Sequence, residues 1–529
     1  MPMPPDERRR GCRGSAMSAG LPGSWPIACM REGEMRISAG KTFGGAVAVE
    51  RSAVDAPARE HARRRVVRLI FLVYWLLIFD GVLRKWVFPE FHQILYFLRD
   101  PFVLVIYLYA IRYNLFYQHV FLSLFVVFGL LASVLAFLAY MISGINMLVL
   151  LIGIRNYFLY LPLAFVVARC VRMEDMALLT RRNLLIALPV ALLVLAQYLS
   201  PPSAFINRGI SEDDAIALVV TDMVRPYGTF TYASGHVLYV GALIAMLAAA
   251  WLQRKQMRIS PGLLAVGGTA ILCMSLTTGS RSIYFVMMLI GLSLAVVSVS
   301  TPGAGVRARA LLFPVLFLAG AAALFTSVLE PAYQAMLERQ ASAVQSEGST
   351  LARAFSGLYG FLRMIPEAPA LGYGLGAGTS AGAAFATGMR QFTLAEDEWQ
   401  RILLELGPLF GLVFIGLRVA FVGWLGARAL LSNRRLDNPT ALVLFGFAGI
   451  TVLNGPLTLN VMTASFAWLF VGLILAASDP SNQFATEARV RPRREPRAFP
   501  APGSGRASKW PADRGGSSTR QIARRPNSP

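Results

Sequence analysis

Residues 120–142 have the sequence VFLSLFVVFGLLASVLAFLAYMI, a run without any charged side chain. A helix crosses the hydrocarbon core of a bilayer with about 20 predominantly apolar residues, so this run predicts a transmembrane helix. The whole chain agrees, because 55% of its 529 residues are hydrophobic, 15% are charged, and the mean hydropathy is +0.54. This composition excludes a water-soluble enzyme, a disordered scaffold and a collagen-like fibre.

Similar apolar runs recur along the chain and predict an all-α polytopic membrane protein with about 12 transmembrane helices. The second run is the least regular, since Arg99, Asp100 and Pro101 interrupt the apolar approach to it. The runs centre on residues 69–83, 102–111, 120–142, 147–168, 184–199, 237–252, 263–276, 283–299, 311–329, 402–425, 441–453 and 461–477.

These runs set the predicted organisation of the chain. The ninth and tenth runs are separated by a long loop, and a long loop on one face of a membrane bundle is usually where function resides. Within this loop, residues 333–364 predict two short amphipathic helices. The predicted regions are a disordered basic cytoplasmic tail (1–65), the first nine helices (66–329), a large periplasmic loop (330–401), helices ten to twelve (402–478) and a second disordered basic cytoplasmic tail (479–529).

The net charge of +21 is concentrated near the ends, where residues 1–68 carry +6 and residues 480–529 carry +8. Basic tails can bind nucleic acid, but these tails lack interleaved aromatic residues and any recognisable binding fold. We therefore predict no nucleic-acid partner and expect both tails to lie against the anionic cytoplasmic leaflet of the bilayer.

The short loops predict the orientation. With the N-terminus in the cytoplasm, the inner loops hold thirteen Lys or Arg residues and the short outer loops hold six. Because cytoplasmic loops carry the excess of basic residues, both termini are predicted to be cytoplasmic.

Basic residues on the outer face need an explanation, because an arginine at the centre of a membrane helix costs about 2.5–3.5 kcal/mol. Arg225 follows Asp222 and precedes a rigid Pro-Tyr-Gly-Thr-Phe turn, and Arg281 lies in a very short turn. Neither has an obvious local acid that would neutralise it. Guanidinium groups suit phosphate oxygens, so a diphosphate entering from the bilayer would find its counter-charge here. The alternative for each arginine is snorkelling or a salt bridge.

Arg84, Lys85 and Arg155 are further candidate substrate-binding residues. Asp80 lies one helical turn before Arg84 and can form an ion pair with it, which favours a structural role for that arginine. Arg155 falls early in the fourth run, with no acid within one turn of it.

Three carboxylates, Glu396, Asp397 and Glu398, come shortly before the tenth run. Acids at this position stabilise the N-terminus of a helix. The alternative is general-base catalysis, in which one of them accepts a hydroxyl proton as that oxygen attacks a new centre. The adjacent Trp399 can stack on a sugar face or belong to the aromatic belt of a membrane protein.

Other motifs argue against a cofactor. Residues 372–378 are Gly-rich but lack the Lys-Ser/Thr ending of a nucleotide P-loop, so ATP binding is rejected and a flexible loop is predicted. The four histidines, His61, His92, His119 and His236, are not in ligand spacing, and no CxxC pair is present. We predict neither a metal site nor a cofactor.

Several motifs together form a recognisable set, and each is only moderately specific alone. In the first half these are GVLRKWVFP at 81–89 with RDP at 99–101, RPYGTF at 225–230 and TGSR at 278–281. In the second half they are GYGLG at 372–376, EW at 398–399 and ELGP at 405–408. The set resembles the membrane glycan polymerases and ligases grouped with the O-antigen ligases, in particular their exopolysaccharide polymerase-like members.

The resemblance implies a chemistry and a site. In that family, periplasmic arginines are taken to engage the diphosphate of an undecaprenyl-linked glycan, and transfer is metal-independent. The matching positions here are Arg225 and Arg281. Ligases of the family often have His-Asn before the aromatic of the last loop segment, where this chain has Glu396-Asp397. This departure favours a polymerase or exopolysaccharide role over ligation to lipid A.

These observations lead to the hypothesis of a multi-pass protein of the bacterial inner membrane that joins lipid-linked glycans on the periplasmic side. The expected partners are an undecaprenyl-diphosphate-linked glycan, an acceptor glycan, the lipid bilayer, and chain-length or export proteins. One of the three carboxylates would act as base, while Arg225 and Arg281 stabilise the departing lipid diphosphate.

The alternative hypothesis is a transporter or flippase of lipid-linked glycans. A carrier should place ionisable residues near the midplane of discontinuous helices and show a repeat between its halves. The sequence shows few deep charges, and the long loop has no counterpart in the first half. A purely structural membrane subunit is a further alternative.

Overall fold

The computed structural model describes residues 43–143, 146–210, 224–327, 359–379, 394–395 and 397–484. The chain divides into two units, residues 1–58 and 59–529. Of the first unit the structure describes helical backbone from Phe43 onward, and the packing described below is that of the second unit.

All the regular elements in the described ranges are helical, as the predicted all-α fold requires. The α-helices are α1 (Phe43–Val82), α2 (His92–Leu95), α3 (Asp100–Arg112), α4 (Val120–Ser143), α5 (Met147–Ile154), α6 (Leu161–Cys170), α7 (Met173–Leu199), α8 (Ala233–Leu252), α9 (Pro261–Thr277), α10 (Arg281–Ser300), α11 (Ala304–Ser327), α12 (Glu398–Leu436), α13 (Thr440–Asn454) and α14 (Val461–Ala477).

Nine helical segments within the described ranges are long and apolar enough to cross a membrane, which makes the chain a multi-pass membrane protein. Three shorter apolar helices, α9, α13 and α14, lie where the seventh, eleventh and twelfth spans were predicted. The other nine predicted runs also lie on helical segments as far as the structure describes them, since residues 328–329 of the ninth run lie outside the described residues. The total of twelve membrane crossings stays a prediction.

Helix α14 forms the centre of the bundle, because every one of its residues is buried. Its sequence has no charged residue and includes small residues that let neighbouring backbones approach closely. At Gly472 an added Cβ would lie 2.4 Å from the Cβ of Val167 in α6, so only glycine fits this crossing. Helix α4, in contrast, exposes much of its apolar surface, as a lipid-facing helix would.

Loops predicted to share the inner face contact one another. The Arg63 guanidinium donates to the carbonyl of Cys170 at 2.7 Å, and Arg181 donates to the carbonyl of Arg258 at 3.1 Å. Trp251 likewise donates from its indole nitrogen to the main chain of α11 at 3.0 Å. These contacts join segments that are far apart in the sequence, and the orientation of the helices in the membrane stays a prediction.

Helical geometry is interrupted at three places that carry charged residues. A π-helical turn, Leu83–Val87, follows α1, and a second one, Arg155–Leu159, separates α5 from α6. In α12 the helix is broken at Gly407, whose φ of 79° and ψ of 167° are not helical. An added Cβ there would lie 2.4 Å from the carbonyl oxygen of Ala370. Single π-helical turns occur frequently at functional sites.

The predicted flexible loop at 372–378 is wrong for these residues, which are held between two helices. The main-chain nitrogen of Tyr373 donates to the carbonyl of Leu404 at 2.8 Å. On the other side, an added Cβ on Gly376 would lie 2.3 Å from the carbonyl oxygen of Val149. Glycine allows this close approach of backbones, and the resulting contacts order the segment. Of the predicted loop helices at 333–364, residues 333–358 lie outside the described residues.

Candidate functional site

Lys85 on the first π-helical turn is buried, with 1% of its surface exposed. Its ammonium group donates to the carbonyl of Gly228 at 3.2 Å and lies 4.5 Å from the ring centre of Trp86 and 5.9 Å from that of Tyr227. The approach is close because Gly81 has no side chain, and an added Cβ there would lie 2.3 Å from the main chain of Phe230.

The segment that Lys85 contacts also brings the two predicted arginine turns together. The Arg225 Nε donates to the carbonyl of Thr278 at 3.3 Å, and Arg281 begins α10 three residues later. Gly228 has a φ of +56°, and its main-chain nitrogen donates to the side-chain oxygen of Gln197 at 2.7 Å. Three segments that are far apart in the sequence therefore meet at this turn.

His236 in the first turn of α8 borders the same place, and sequence reasoning had considered it only as a metal ligand. It is 1% exposed, and neither ring nitrogen has a hydrogen-bond partner in the described structure. Lys85 and Arg225 both act on it electrostatically. The hydroxyl of Thr229 is also buried without a partner there. We call Lys85, Arg225, Gly228, Thr229 and His236 the 236 site.

Arg155 has a partner that its own helix does not provide. Its guanidinium binds both oxygens of Asp100, and it donates to the carbonyl of Tyr96 at 3.1 Å. The Tyr160 hydroxyl donates to the same aspartate at 2.8 Å. Arg155 therefore forms a salt bridge, which was the alternative interpretation of this residue. Its partner Asp100 lies 55 residues away in the sequence.

Arg84 forms the salt bridge with Asp80 that the sequence predicted, with 3.2 Å between the charged atoms. It also donates from Nε to the carbonyl of His92 at 2.9 Å. Its guanidinium carbon lies 5.5 Å from the ring centre of Tyr96. Arg84 and Lys85 are consecutive, yet they contact different parts of the protein.

Glu398 is at the centre of a second polar group, which is fully paired. Its carboxylate accepts hydrogen bonds from Arg401 and from Arg418, the latter at 2.8 Å. It also accepts from the main-chain nitrogen of Thr458 at 3.1 Å and from the hydroxyl of the same residue at 3.0 Å. We call Glu398, Arg401, Arg418 and Thr458 the 398 group. These contacts stabilise the fold, and catalysis by Glu398 stays a prediction.

The second π-helical turn contacts this part of the protein. The Asn156 amide donates to the carbonyl of Thr458 at 3.0 Å. The Tyr157 hydroxyl donates to Glu405 at 2.7 Å, and the main-chain nitrogen of Gly378 donates to the other oxygen of that carboxylate at 2.7 Å. The turn therefore joins the Arg155 ion pair to the 398 group.

The other predicted site residues either lie beside the 398 group or lie outside the residues that the structure describes. Asp397 is half-buried at the N-cap of α12, and Glu396 lies outside the described residues. Trp399 donates from its indole nitrogen to the carbonyl of Leu453 at 2.8 Å and packs edge-on against Phe361. Because this indole is 7% exposed, stacking on a sugar would require it to move, and that role stays a prediction.

Sequence reasoning missed several of the buried ionisable residues. The expectation of few deep charges is wrong for α12, where Glu405 and Arg418 lie inside the predicted tenth run and are buried. The signal was available, because an ionisable residue within an apolar run is expensive and needs a partner. Arg99 was noted as an interruption of the second run and as part of the RDP motif, but not as a buried charge. It is 2% exposed, and its Nε and Nη1 have no hydrogen-bond partner in the described ranges.

Comparison with known proteins gives no match, either among protein-family models, among curated proteins or among solved structures. Within the described ranges, no three His, Cys, Asp or Glu residues lie together as the ligands of a metal ion would. Function therefore has to be argued from the residues themselves.

Proposed function

We propose that this protein transfers an undecaprenyl-diphosphate-linked oligosaccharide onto an acceptor sugar hydroxyl on the periplasmic side of the membrane, in surface or exopolysaccharide assembly. The observation that carries the proposal is the contact between Arg225 and Thr278. It brings the turn that begins with Arg225 beside the turn that ends with Arg281, and Lys85 contacts the first of these turns.

In the proposed reaction these cations bind the diphosphate of the donor. The acceptor hydroxyl oxygen attacks the anomeric carbon, and the bond from that carbon to the diphosphate oxygen breaks. Negative charge develops on the leaving diphosphate, where fixed guanidinium and ammonium groups stabilise it in surroundings that exclude water. The 236 site supports this assignment because His236 and Thr229 have buried polar atoms without partners in the described structure.

The proposed base, which takes the proton of the acceptor hydroxyl, is a carboxylate at the start of α12. Glu398 is the least suited of the three, since two arginines and Thr458 fill both of its oxygens. Asp397 is half-buried, and no hydrogen bond of its side chain caps the helix. We assign the role to Asp397, with Glu396 as the neighbouring alternative.

The test uses purified protein in vesicles with radiolabelled lipid-diphosphate-linked repeat units. We expect the wild type to lengthen the glycan and Arg281→Ala to slow lengthening by about 100-fold, because the leaving charge loses a donor. The matched control is Arg208→Ala, an exposed arginine of the same predicted face, which should keep the wild-type rate. Full-length polymer from Arg281→Ala would remove this residue from the mechanism.

A carrier of lipid-linked glycans is the second candidate, and α12 is the observation that favours it. This helix is discontinuous at Gly407 and carries buried charges on both sides of the break, as carriers often do. The same vesicles distinguish the two, since a carrier moves the label across the membrane without lengthening the glycan.

A further inference from the structure

Trp86 is a half-buried aromatic residue that the proposed function does not use. It follows Lys85 on the first π-helical turn, and the Lys85 ammonium lies 4.5 Å from the centre of its ring. The ring of Tyr227, which is also half-buried, has its centre 5.9 Å from the same ammonium. Two aromatic rings therefore adjoin a cation that is proposed to bind the donor diphosphate.

The Trp86 ring is held by a contact within the protein. Its indole nitrogen donates to the carbonyl of Phe205 at 3.3 Å, across 119 residues of sequence. In an aromatic belt the indole N–H is the polar end of the side chain and faces the wet side of the membrane interface. Here that N–H is bonded to the main chain of another segment, so the ring has a set position beside Lys85.

The segment that accepts this bond also contains a buried amide. Asn207 is 2% exposed, and its side-chain nitrogen donates to the carbonyls of Gln197, Ser200 and Pro201 at 3.1, 3.2 and 3.0 Å. The three carbonyl partners identify this atom as the nitrogen. The side-chain oxygen has no hydrogen-bond partner in the described structure, which indicates that a donor is missing there.

Gln197 joins this amide to the 236 site. Its side-chain nitrogen donates to the carbonyl of Ile206 at 2.9 Å, and its side-chain oxygen accepts from the main-chain nitrogen of Gly228 at 2.7 Å. The next residue, Thr229, carries the buried hydroxyl that lacks a partner in the described ranges. The rings, the amide oxygen and the hydroxyl therefore belong to three segments that are bonded together, residues 83–87, 205–207 and 225–230.

We propose that Trp86, Tyr227 and Asn207 form a sugar-binding subsite, the 86 subsite, which holds the sugar attached to the donor diphosphate. This inference rests on the proposed function, because a diphosphate bound at Lys85 places that sugar beside the rings. One face of a pyranose presents C–H groups, which are attracted to the negative face of an aromatic ring. The hydroxyls of the same sugar supply the donor that the Asn207 oxygen lacks.

A carbohydrate matches both halves of this arrangement. A hydrocarbon chain would cover the rings but leave the Asn207 oxygen and the Thr229 hydroxyl without partners, and an inorganic anion would leave the rings uncovered. The 86 subsite also needs no rearrangement to admit a sugar, because Trp86 and Tyr227 are half-buried. Trp399, the aromatic residue that the sequence predicted for this role, is 7% exposed.

The first test measures binding without catalysis. Thermal unfolding of the full-length protein in detergent is followed with inorganic diphosphate, or with the repeat-unit oligosaccharide that mild acid releases from the lipid-linked donor. We expect each ligand to raise the melting temperature of the wild type. Trp86→Leu should keep the shift from diphosphate, which shows that it is folded, and should bind the oligosaccharide about tenfold more weakly. Trp86→Phe keeps a ring face and should lose less affinity.

The matched control is Phe88→Leu, because Phe88 is an aromatic residue two positions away and is 49% exposed. It should keep both shifts. If Trp86→Leu does not fold, Tyr227→Leu makes the same comparison from another segment. The proposal is overturned if the oligosaccharide does not shift the wild type, or if a folded Trp86→Leu or Tyr227→Leu binds it as the wild type does. An equal loss in Phe88→Leu would also overturn it, because it would indicate a membrane-interface role for these rings.

Kinetics separate this proposal from the proposed function. In the lengthening assay, Trp86→Leu should raise the KM for the lipid-linked donor about tenfold and change kcat by less than about twofold, because a stacked sugar is bound equally before and during transfer. A wild type that binds the oligosaccharide through Trp86 without lengthening the glycan would reject the proposed function and keep the 86 subsite. Lengthening by Trp86→Leu with an unchanged KM would reject the 86 subsite alone.

Discussion

The 398 group and the 236 site are both buried and both contain charged residues, yet only the first has its hydrogen bonds filled. Glu398 accepts from two arginines and from Thr458. In the 236 site, His236 has no hydrogen-bond partner in the described structure, although it is as deeply buried. Burial alone therefore does not distinguish a stabilising polar group from a binding one.

Unfilled hydrogen bonds indicate where a ligand would bind. The great majority of buried polar atoms in folded proteins have a hydrogen-bond partner, because a missing bond costs about 1–3 kcal/mol. A buried polar group whose hydrogen bonds are all made within the protein stabilises the fold and has no free donor or acceptor for a substrate. A buried polar group that lacks a hydrogen-bond partner is stabilised when a ligand supplies that partner.

The largest effect is expected for Glu398→Gln. Removing the charge leaves two buried guanidinium groups, those of Arg401 and Arg418, without their counter-ion, and breaking such a pair costs about 3–5 kcal/mol. We expect a strongly lowered melting temperature in detergent and less folded protein in the membrane. Glu367→Gln, an exposed glutamate, is the control. A wild-type melting temperature for Glu398→Gln would show that the 398 group does not stabilise the fold.

A smaller effect is expected for Tyr157→Phe. This change removes the hydroxyl that donates to Glu405 and leaves one oxygen of a buried carboxylate without that donor. The cost should be about 1–3 kcal/mol, measured as a lower melting temperature. Tyr373→Phe is the control, because Tyr373 is 46% exposed. If both changes have the same effect, the Tyr157 hydrogen bond does not stabilise the fold.

The smallest effect on stability is expected for His236→Leu. Leucine has nearly the volume of histidine, and the substitution removes no hydrogen bond described for the His236 side chain. The free energy of unfolding should therefore change by less than about 1.5 kcal/mol. Glycan lengthening should nevertheless fall, because the 236 site loses a polar group that is proposed to face the bound donor. His61→Leu, at an exposed position, should change neither property. A destabilisation as large as that of Glu398→Gln would show that His236 supports the fold.

The two π-helical turns illustrate how the fold makes such groups. An extra residue in one turn changes the direction of the side chains that follow it. Within these turns Arg84 and Lys85 contact different partners, and Arg155, Asn156 and Tyr157 donate to three separate acceptors. Nothing in the local sequence predicts this geometry, because the runs remain apolar on both sides of it.

Part of the candidate site could be predicted from the sequence. Arg84 and Asp80 are four residues apart on one helix, so their pairing follows from helical spacing. No acid lies within one turn of Arg155 in the sequence, and its partner Asp100 comes from another helix. The Gly-rich segment was expected to be flexible, because glycine permits both disorder and the close backbone packing that the structure has.

The apolar runs were enough to predict a helical multi-pass membrane protein, because a bilayer accepts only long apolar runs whose backbone hydrogen bonds are satisfied internally. Which charged side chains form pairs could be seen only in the folded protein. Glu398 meets Thr458 across 60 residues, and Tyr157 meets Glu405 across 248. Hydropathy records how apolar each run is, but ion pairing depends on the distances between side chains of different helices, which only packing fixes.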